Sequence, residues 1–151
     1  MKFYVTRHGE AVWNVDNKIC GRTDVELTEK GYAQAEELAE RVKDYHIDLI
    51  ISSPLQRAFE TARTVANRYR IPLQIDERLI EQNYGIYEGK DRQDEGFLAN
   101  KRQFAYRYPE GGESMMQMPY RVYGFIEDVK KNYPGKNVLV VCHGGVCRVI
   151  R

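Results

Sequence analysis

His8 stands between Arg7 and Gly9 directly after the short apolar run Phe3-Tyr4-Val5. His143 stands before Gly144-Gly145 directly after Val138-Leu139-Val140-Val141-Cys142. A neutral imidazole nitrogen can attack phosphorus near pH 7, because its ordinary pKa lies close to that value. Arginine brings a planar, permanently charged fork that fits phosphate oxygens in pairs. Arg7 is one such fork, and Arg57, just past Ser52-Ser53-Pro54, is a second. A carboxyl group held protonated nearby could hand its proton to a departing alkoxide, and Glu81 is one carboxylate to weigh. A nucleophile, a positive cage and an acid are the parts that phosphoryl transfer asks for. Singly, each has a plainer reading: a structural histidine, a solvated helix arginine, a loop carboxylate, a tight glycine turn.

Their positions along the chain draw them together. Residues 3–5, Leu49-Ile50-Ile51, Leu73-Gln74-Ile75 and 138–142 read as short buried strands. Thr28 is placed to cap a helix carrying Ala35, Leu38, Ala39 and Val42 at helical spacing. Ser53, Pro54 and Gln56 predict a cap, a first-turn proline and a capping-box partner for a second helix, with Ala58, Ala62, Val65, Ala66 and Tyr69 inward. Glu10 to Leu27 reads as a loop, and the pattern from Tyr84 to Gly112 is weak, with one helix predicted around 96–108. A further helix is expected from about Met115 to Lys131, with Val122, Phe125, Ile126 and Val129 inward, and a last one opening at Gly144. Strands alternating with helices imply an α/β fold with a largely parallel sheet. His8, Ser52 to Arg57 and His143 then share the edge formed by the carboxyl ends of the strands, where such sheets bind ligands.

Composition narrows the class. The chain has 151 residues, 42% hydrophobic and 30% charged, enough for one domain with a real core. A net charge of +1 supplies no global field for nucleic acid or a membrane surface, so any attraction for anions must be local. No apolar run approaches the roughly twenty residues that span a bilayer. Cys20, Cys142 and Cys147 form no disulfide framework and suit a reducing cytoplasm. Cys142, His143 and Cys147 lack the second ligand pair usual for zinc.

Seven segments follow one another in a recognisable order: Arg7-His8-Gly9-Glu10 with Asn14, Cys20-Gly21-Arg22-Thr23-Asp24, Leu27-Thr28-Glu29-Lys30-Gly31, Ser52-Ser53-Pro54-Leu55-Gln56-Arg57-Ala58, Leu79-Ile80-Glu81 with Tyr84-Gly85, Gly111-Gly112-Glu113-Ser114, and His143-Gly144-Gly145. Over essentially its whole length the chain resembles the histidine phosphatase superfamily, the phosphoglycerate mutase-like clan. The resemblance implies a three-layer α/β/α fold with a mostly parallel central sheet, as one domain over 1–151 with a small helical cap inserted at about 84–114. It implies His8 as the nucleophile that becomes phosphorylated. Arg7, Arg57 and His143 would hold the phosphoryl oxygens, with Asn14 and the Gly144 backbone assisting. Glu81 would be the proton donor, and Cys20 and Gly21 would lie beside the substrate. It implies no metal and no cofactor, a small phosphomonoester as substrate, and inorganic phosphate as product and inhibitor. A homodimer stays open.

Two departures stand out. Ala11 occupies a position where the family commonly has Ser or Thr, and the chain stops at Arg151 where relatives usually continue. The C-terminal end is therefore expected to be incomplete and the natural protein longer.

Rival readings share the same residues. Cys142-His143-Gly144-Gly145-Val146-Cys147-Arg148 fits C-x-x-G-x-x-R, the loop of cysteine-dependent phosphatases, although Val149 stands where Ser or Thr commonly follows. A mutase and a non-catalytic binder of a phosphorylated ligand are the other two. The short stretch between Glu81 and His143 favours a phosphatase over a mutase. Phe97, Phe104, Tyr106 and Tyr108, with Lys101, Arg102 and Arg107, are candidates for the mouth of the site. Sugar phosphates, nucleotides and phosphoglycerates all remain open as substrates.

Overall fold

The computed structural model describes residues 1–151. Its elements run β1 (Lys2–Arg7), α1 (Val12–Val15), α2 (Glu29–Arg41), β2 (Leu49–Ser52), α3 (Gln56–Tyr69), β3 (Leu73–Ile75), α4 (Glu95–Lys101), α5 (Gln117–Asn132), β4 (Asn137–Cys142) and α6 (Gly144–Ile150). Single 3₁₀ turns at Glu77–Leu79 and Gly85–Tyr87 lie between β3 and α4. All strand pairings are parallel, in the order β1-β4-β2-β3. The expected α/β fold with a parallel sheet is what forms.

Strand composition follows position in the sheet. β2 is buried along its whole length and β4 from Val138 onward, as near-continuous apolar runs in a covered parallel sheet must be. Period-two alternation sends Leu49, Ile51, Val138, Val140 and Cys142 to one face, where Met118, Val122, Phe125, Val129 and Val146 of α5 and α6 cover them. Ile50, Leu139 and Val141 point to the other face, against Leu38, Ala39, Ala58, Ala62 and Val65 of α2 and α3. The result is three layers, helix–sheet–helix.

The sheet order builds the site. The chain steps from β1 past an empty lane to β2 and β3, then returns on the opposite face through α5 and lays β4 into the lane. This places the carboxyl ends of β1, β4 and β2 side by side, at the kind of switch point where open α/β sheets bind ligands. Register finishes the placement. The His8 amide donates to Cys142 O at 3.0 Å and the Ser53 amide donates to Val141 O at 3.0 Å. His8 and Ser53 thus flank the end of β4, where His143 follows.

Local signals were obeyed unevenly. Thr28 caps α2, its Oγ1 accepting from the Gly31 amide at 3.0 Å. α3, however, begins at Gln56 with Leu55 as its N-cap and no side-chain cap. Ser53 and Pro54 lie outside it, and the Gln56 amide is satisfied by Asp24 Oδ1 at 2.8 Å, a partner from a distant loop. The expected loop 10–27 contains α1, whose Asn14 accepts from the Ala11 amide at 2.9 Å through Oδ1. The helix expected at 96–108 shrinks to Glu95–Lys101 with Asp94 as its cap. Tyr84, Tyr87, Phe97 and Tyr108 pack edge-on or stacked at centroid distances of 5.3–5.9 Å, and this ring cluster, not a longer helix, orders the segment.

Candidate active site

The backbone places His8 and then fixes its tautomer. Its Nδ1 lies 2.5 Å from Gly9 O, and a carbonyl can only accept, so Nδ1 carries the proton and Nε2 keeps its lone pair. Gly9 is held in turn, its amide donating to Thr61 Oγ1 at 3.1 Å while that hydroxyl donates to Arg57 O at 2.8 Å. A side chain at position 9 would drive a Cβ to 2.4 Å from Gly31 O, so glycine is needed there for close approach. Burial, with Arg57 and Arg7 nearby, lowers the His8 pKa to about 3 despite the bond to Gly9. The ring is therefore neutral at physiological pH, the form in which imidazole is a nucleophile.

His143 sits at 0% exposure, its ring centroid 5.2 Å from that of His8. Its Nε2 pairs with Ser53 Oγ at 2.7 Å, which is where the supposed helix-capping serine is used. Burial first, then Arg57 and His8, hold its pKa well below the ordinary value. Arg57 is likewise buried, at 1% exposure. Its Nη1 donates to Thr23 O at 2.7 Å and its Nη2 to Gly21 O at 2.6 Å. Arg57 Nε and His143 Nδ1 are buried without partners. Unpartnered buried polar atoms are rare and costly, and a phosphoryl oxygen is the acceptor that suits a guanidinium N–H.

Glu81 closes the set from the other side. Its Oε1 accepts from the Gln82 amide at 2.9 Å and its Oε2 from the Gly145 amide at 2.8 Å. Those two donors favour the carboxylate, yet burial outweighs them and raises the pKa. The first turn of α6 thus gives an amide to the acid instead of leaving it free for a ligand. A Cβ at Gly145 would lie 2.2 Å from Glu81 Oε1, so a side chain there would displace the carboxyl group.

A cavity of about 340 Å³ opens over these groups, lined by Arg7, His8, Asn14, Cys20, Glu81 and Gly144 among others. Of the candidate residues, Arg57, His143 and Gly21 are not part of its lining. Gly21 presents a carbonyl to Arg57 and not a surface to the cavity. Phe97 and Lys101 also line it. Phe104 and Tyr106 do not, being 60% and 70% exposed, and Tyr108 is a buried ring packed with Ile19 and Phe97; Arg102 and Arg107 lie outside the lining as well. Sequence reasoning missed Thr61, Gln82 and Arg92, the last of which lines the cavity. It missed Arg121 too, whose guanidinium holds Glu113 and the carbonyls of Arg78 and Glu81. Nothing in their spacing marks them.

The cysteine reading fails on geometry. Cys142 is fully buried in the core under α5 and α6. Its Sγ lies 3.6 Å from Cys147 Sγ, and that contact together with burial pushes its pKa well above the ordinary thiol value. A buried, protonated thiol is a poor nucleophile.

The paired arginines give a direct test. Arg57→Lys keeps the charge but cannot satisfy both loop carbonyls, so turnover is expected to fall about tenfold or more. Arg7→Lys should cost a similar factor. If both forks grip one phosphoryl group, the double variant loses less than the product of the single losses in steady-state kinetics.

Comparison with known proteins gives relatives named as phosphatases and relatives named as phosphoglycerate mutases, such as a probable phosphoglycerate mutase of Cronobacter sakazakii that is 35% identical over 153 residues, covering 95% of this chain and 70% of that protein. A family model described as histidine phosphatase superfamily (branch 1) matches residues 3–151. A protein of Hydrogenobacter thermophilus named putative phosphoserine phosphatase 2 is 36% identical over 156 residues, covering 99% of this chain and 76% of that protein. Among solved structures, Bacillus stearothermophilus YhfR superposes with a TM-score of 0.88 at 34% identity, covering 98% of this chain and 76% of the other. A mycobacterial glucosyl-3-phosphoglycerate phosphatase in complex with VO3 gives a TM-score of 0.87 at 29% identity, covering 97% of this chain and 76% of the other.

Proposed function

The chain belongs to the histidine phosphatase superfamily, and from that premise we propose that it hydrolyses a small phosphomonoester through a phosphohistidine on His8, without a metal ion. The observation that carries the reading is the His8 tautomer. The bond from Nδ1 to Gly9 O leaves Nε2 as the nucleophile, in a cavity shared with Arg7 and Glu81.

The steps follow from the groups present. Nε2 attacks phosphorus as the ester P–O bond breaks, and the electrons of that bond leave with the alkoxide oxygen. Glu81, whose pKa burial raises, gives its proton to that oxygen. Arg7 and Arg57 neutralise charge on the equatorial oxygens, the task for which fixed, preorganised donors are most effective. The Glu81 carboxylate left behind then takes a proton from water as water attacks the phosphorus, and the P–N bond breaks with its electrons returning to His8 Nε2. Phosphate departs, and both groups return to their starting states. His143, neutral and held by Ser53, contributes a hydrogen bond and no additional positive charge.

Hydrolysis is favoured over mutase transfer by the short stretch between Glu81 and His143. Relatives named as phosphatases, among them the phosphoserine and glucosyl-3-phosphoglycerate enzymes, support small phosphorylated metabolites as the substrate class. The test is a panel of sugar phosphates, nucleotides, phosphoserine and phosphoglycerates assayed in excess chelator. Release of inorganic phosphate at an unchanged rate is expected. Conversion of one phosphoglycerate isomer to the other without phosphate release would point to the mutase, and loss of rate with chelator would remove the metal-free mechanism.

A further inference from the structure

We propose that Glu88 is a positioning residue that presents Arg57 to the phosphoryl group, coupling the segment 84–91 to the phosphate cage. The proposal rests on the reading that Arg57 holds phosphoryl oxygens.

The Glu88 carboxylate reaches across more than sixty residues of sequence to one short loop. Its Oε2 accepts from the Gly21 amide at 3.0 Å and from Thr23 Oγ1 at 2.9 Å, and its Oε1 accepts from the Arg22 amide at 2.8 Å. A longer bond from the Tyr84 amide at 3.3 Å completes four donors on two oxygens. An ionised carboxylate is the side chain with that much accepting capacity and nothing to donate.

The loop so gathered has one evident use. Its amides point at Glu88, and the carbonyls of Gly21 and Thr23 are the acceptors that hold Arg57 Nη2 and Nη1. With both ends of the fork fixed, the remaining buried Nε has no protein partner. A charge-assisted path therefore runs from carboxylate through peptide units to guanidinium, each group oriented by the one before. Gly21 is part of the fit, since a Cβ there would stand 2.2 Å from both Glu88 Oε1 and Gln82 O. Glu88 is itself anchored: the Gly89 amide donates to Ile19 O at 2.9 Å and the Ile19 amide donates to Lys90 O at 2.8 Å. The segment that begins the cap is thereby tied to the loop that aims the arginine.

Glu88→Gln is the discriminating change. Its shape is the same, but its NH₂ must face at least one backbone N–H, so the loop cannot be gathered as before. Inorganic phosphate and vanadate binding, measured by calorimetry on the folded chain, reads the cage without requiring turnover. Glu88→Gln is expected to weaken phosphate binding roughly tenfold, and Arg57→Lys by a similar factor. Because Glu88 acts through Arg57, the double variant should bind no more than about threefold more weakly than Arg57→Lys alone. An equal fold-loss in both backgrounds would overturn the proposal, as would Glu88→Gln binding within twofold of wild type. Should Glu88→Gln not fold, Thr23→Val removes one of the four donors and keeps the Thr23 carbonyl. A loss of about threefold that disappears in the Arg57→Lys background supports the proposal, and no loss contradicts it. A wild type that binds phosphate but hydrolyses nothing would refute the hydrolase reading, and the binding cycle would still decide on Glu88.

Discussion

His8→Ala is expected to abolish turnover, by on the order of 10⁵-fold, the scale reached when a covalent nucleophile is removed. Other groups in the site cannot substitute. His143 is tied to Ser53, and Cys142 is a buried thiol in the core. The same variant carries a stability signature that separates chemistry from folding. The folded pKa of His8, about 3, lies below the ordinary histidine value of 6.5. Between those values the unfolded chain takes up a proton that the native state refuses, so native stability falls as pH drops from about 6.5 toward 3. For one fully withheld proton the slope is about 1.4 kcal/mol per pH unit. His8→Ala removes that liability, so its unfolding midpoint in urea should fall less than that of wild type between pH 7 and pH 4.5. Equal acid sensitivity in the two proteins would mean that His8 takes up its proton in the native state.

Glu81→Gln carries the second large effect, and its size should depend on the leaving group. An alkoxide needs a proton in order to depart, whereas p-nitrophenolate is already a weak base. Turnover of alkyl phosphates is expected to fall by about 10²–10⁴-fold, the range for general acid catalysis, and that of p-nitrophenyl phosphate much less. The pH profile follows from the same burial. The carboxyl pKa is raised above its ordinary value, so the active protonated form persists upward in pH and the rate on alkyl phosphates declines as pH rises through that pKa. Removing the acid should remove this declining limb. Equal losses on both substrates would make Glu81 a binding or positioning group instead.

How much of this was legible in the sequence differs from one residue to the next. The strands could be read because β2 and β4 are covered on both faces and are written as unbroken apolar runs. Once they were placed, His8, Arg57 and His143 had to fall on one edge. The start of α3 was misread because Ser53-Pro54 looks like a local cap. In the fold, Ser53 is engaged by His143 and the helix amide is satisfied by Asp24, a bond between residues far apart in the chain. Glu88, Thr61 and Arg121 were invisible for the same reason. Each acts by accepting or donating to backbone groups tens of residues away, and hydrogen bonds to peptide units leave no periodic mark. The segment from 84 to 112 was the least legible part. Its rings pack on one another in a small cluster, so Phe97 both joins that cluster and lines the cavity, while Phe104 and Tyr106, aromatic as well, do neither.

The central claim is that phosphorus passes through a bond to His8 Nε2. The most direct test is brief reaction with a phosphorus-labelled substrate, quenched without acid, followed by peptide mapping. The expected label survives base, is lost in acid, maps to the peptide containing His8, and is absent in His8→Ala. A label that survives acid, or one that maps to the peptide containing Cys142, would contradict it.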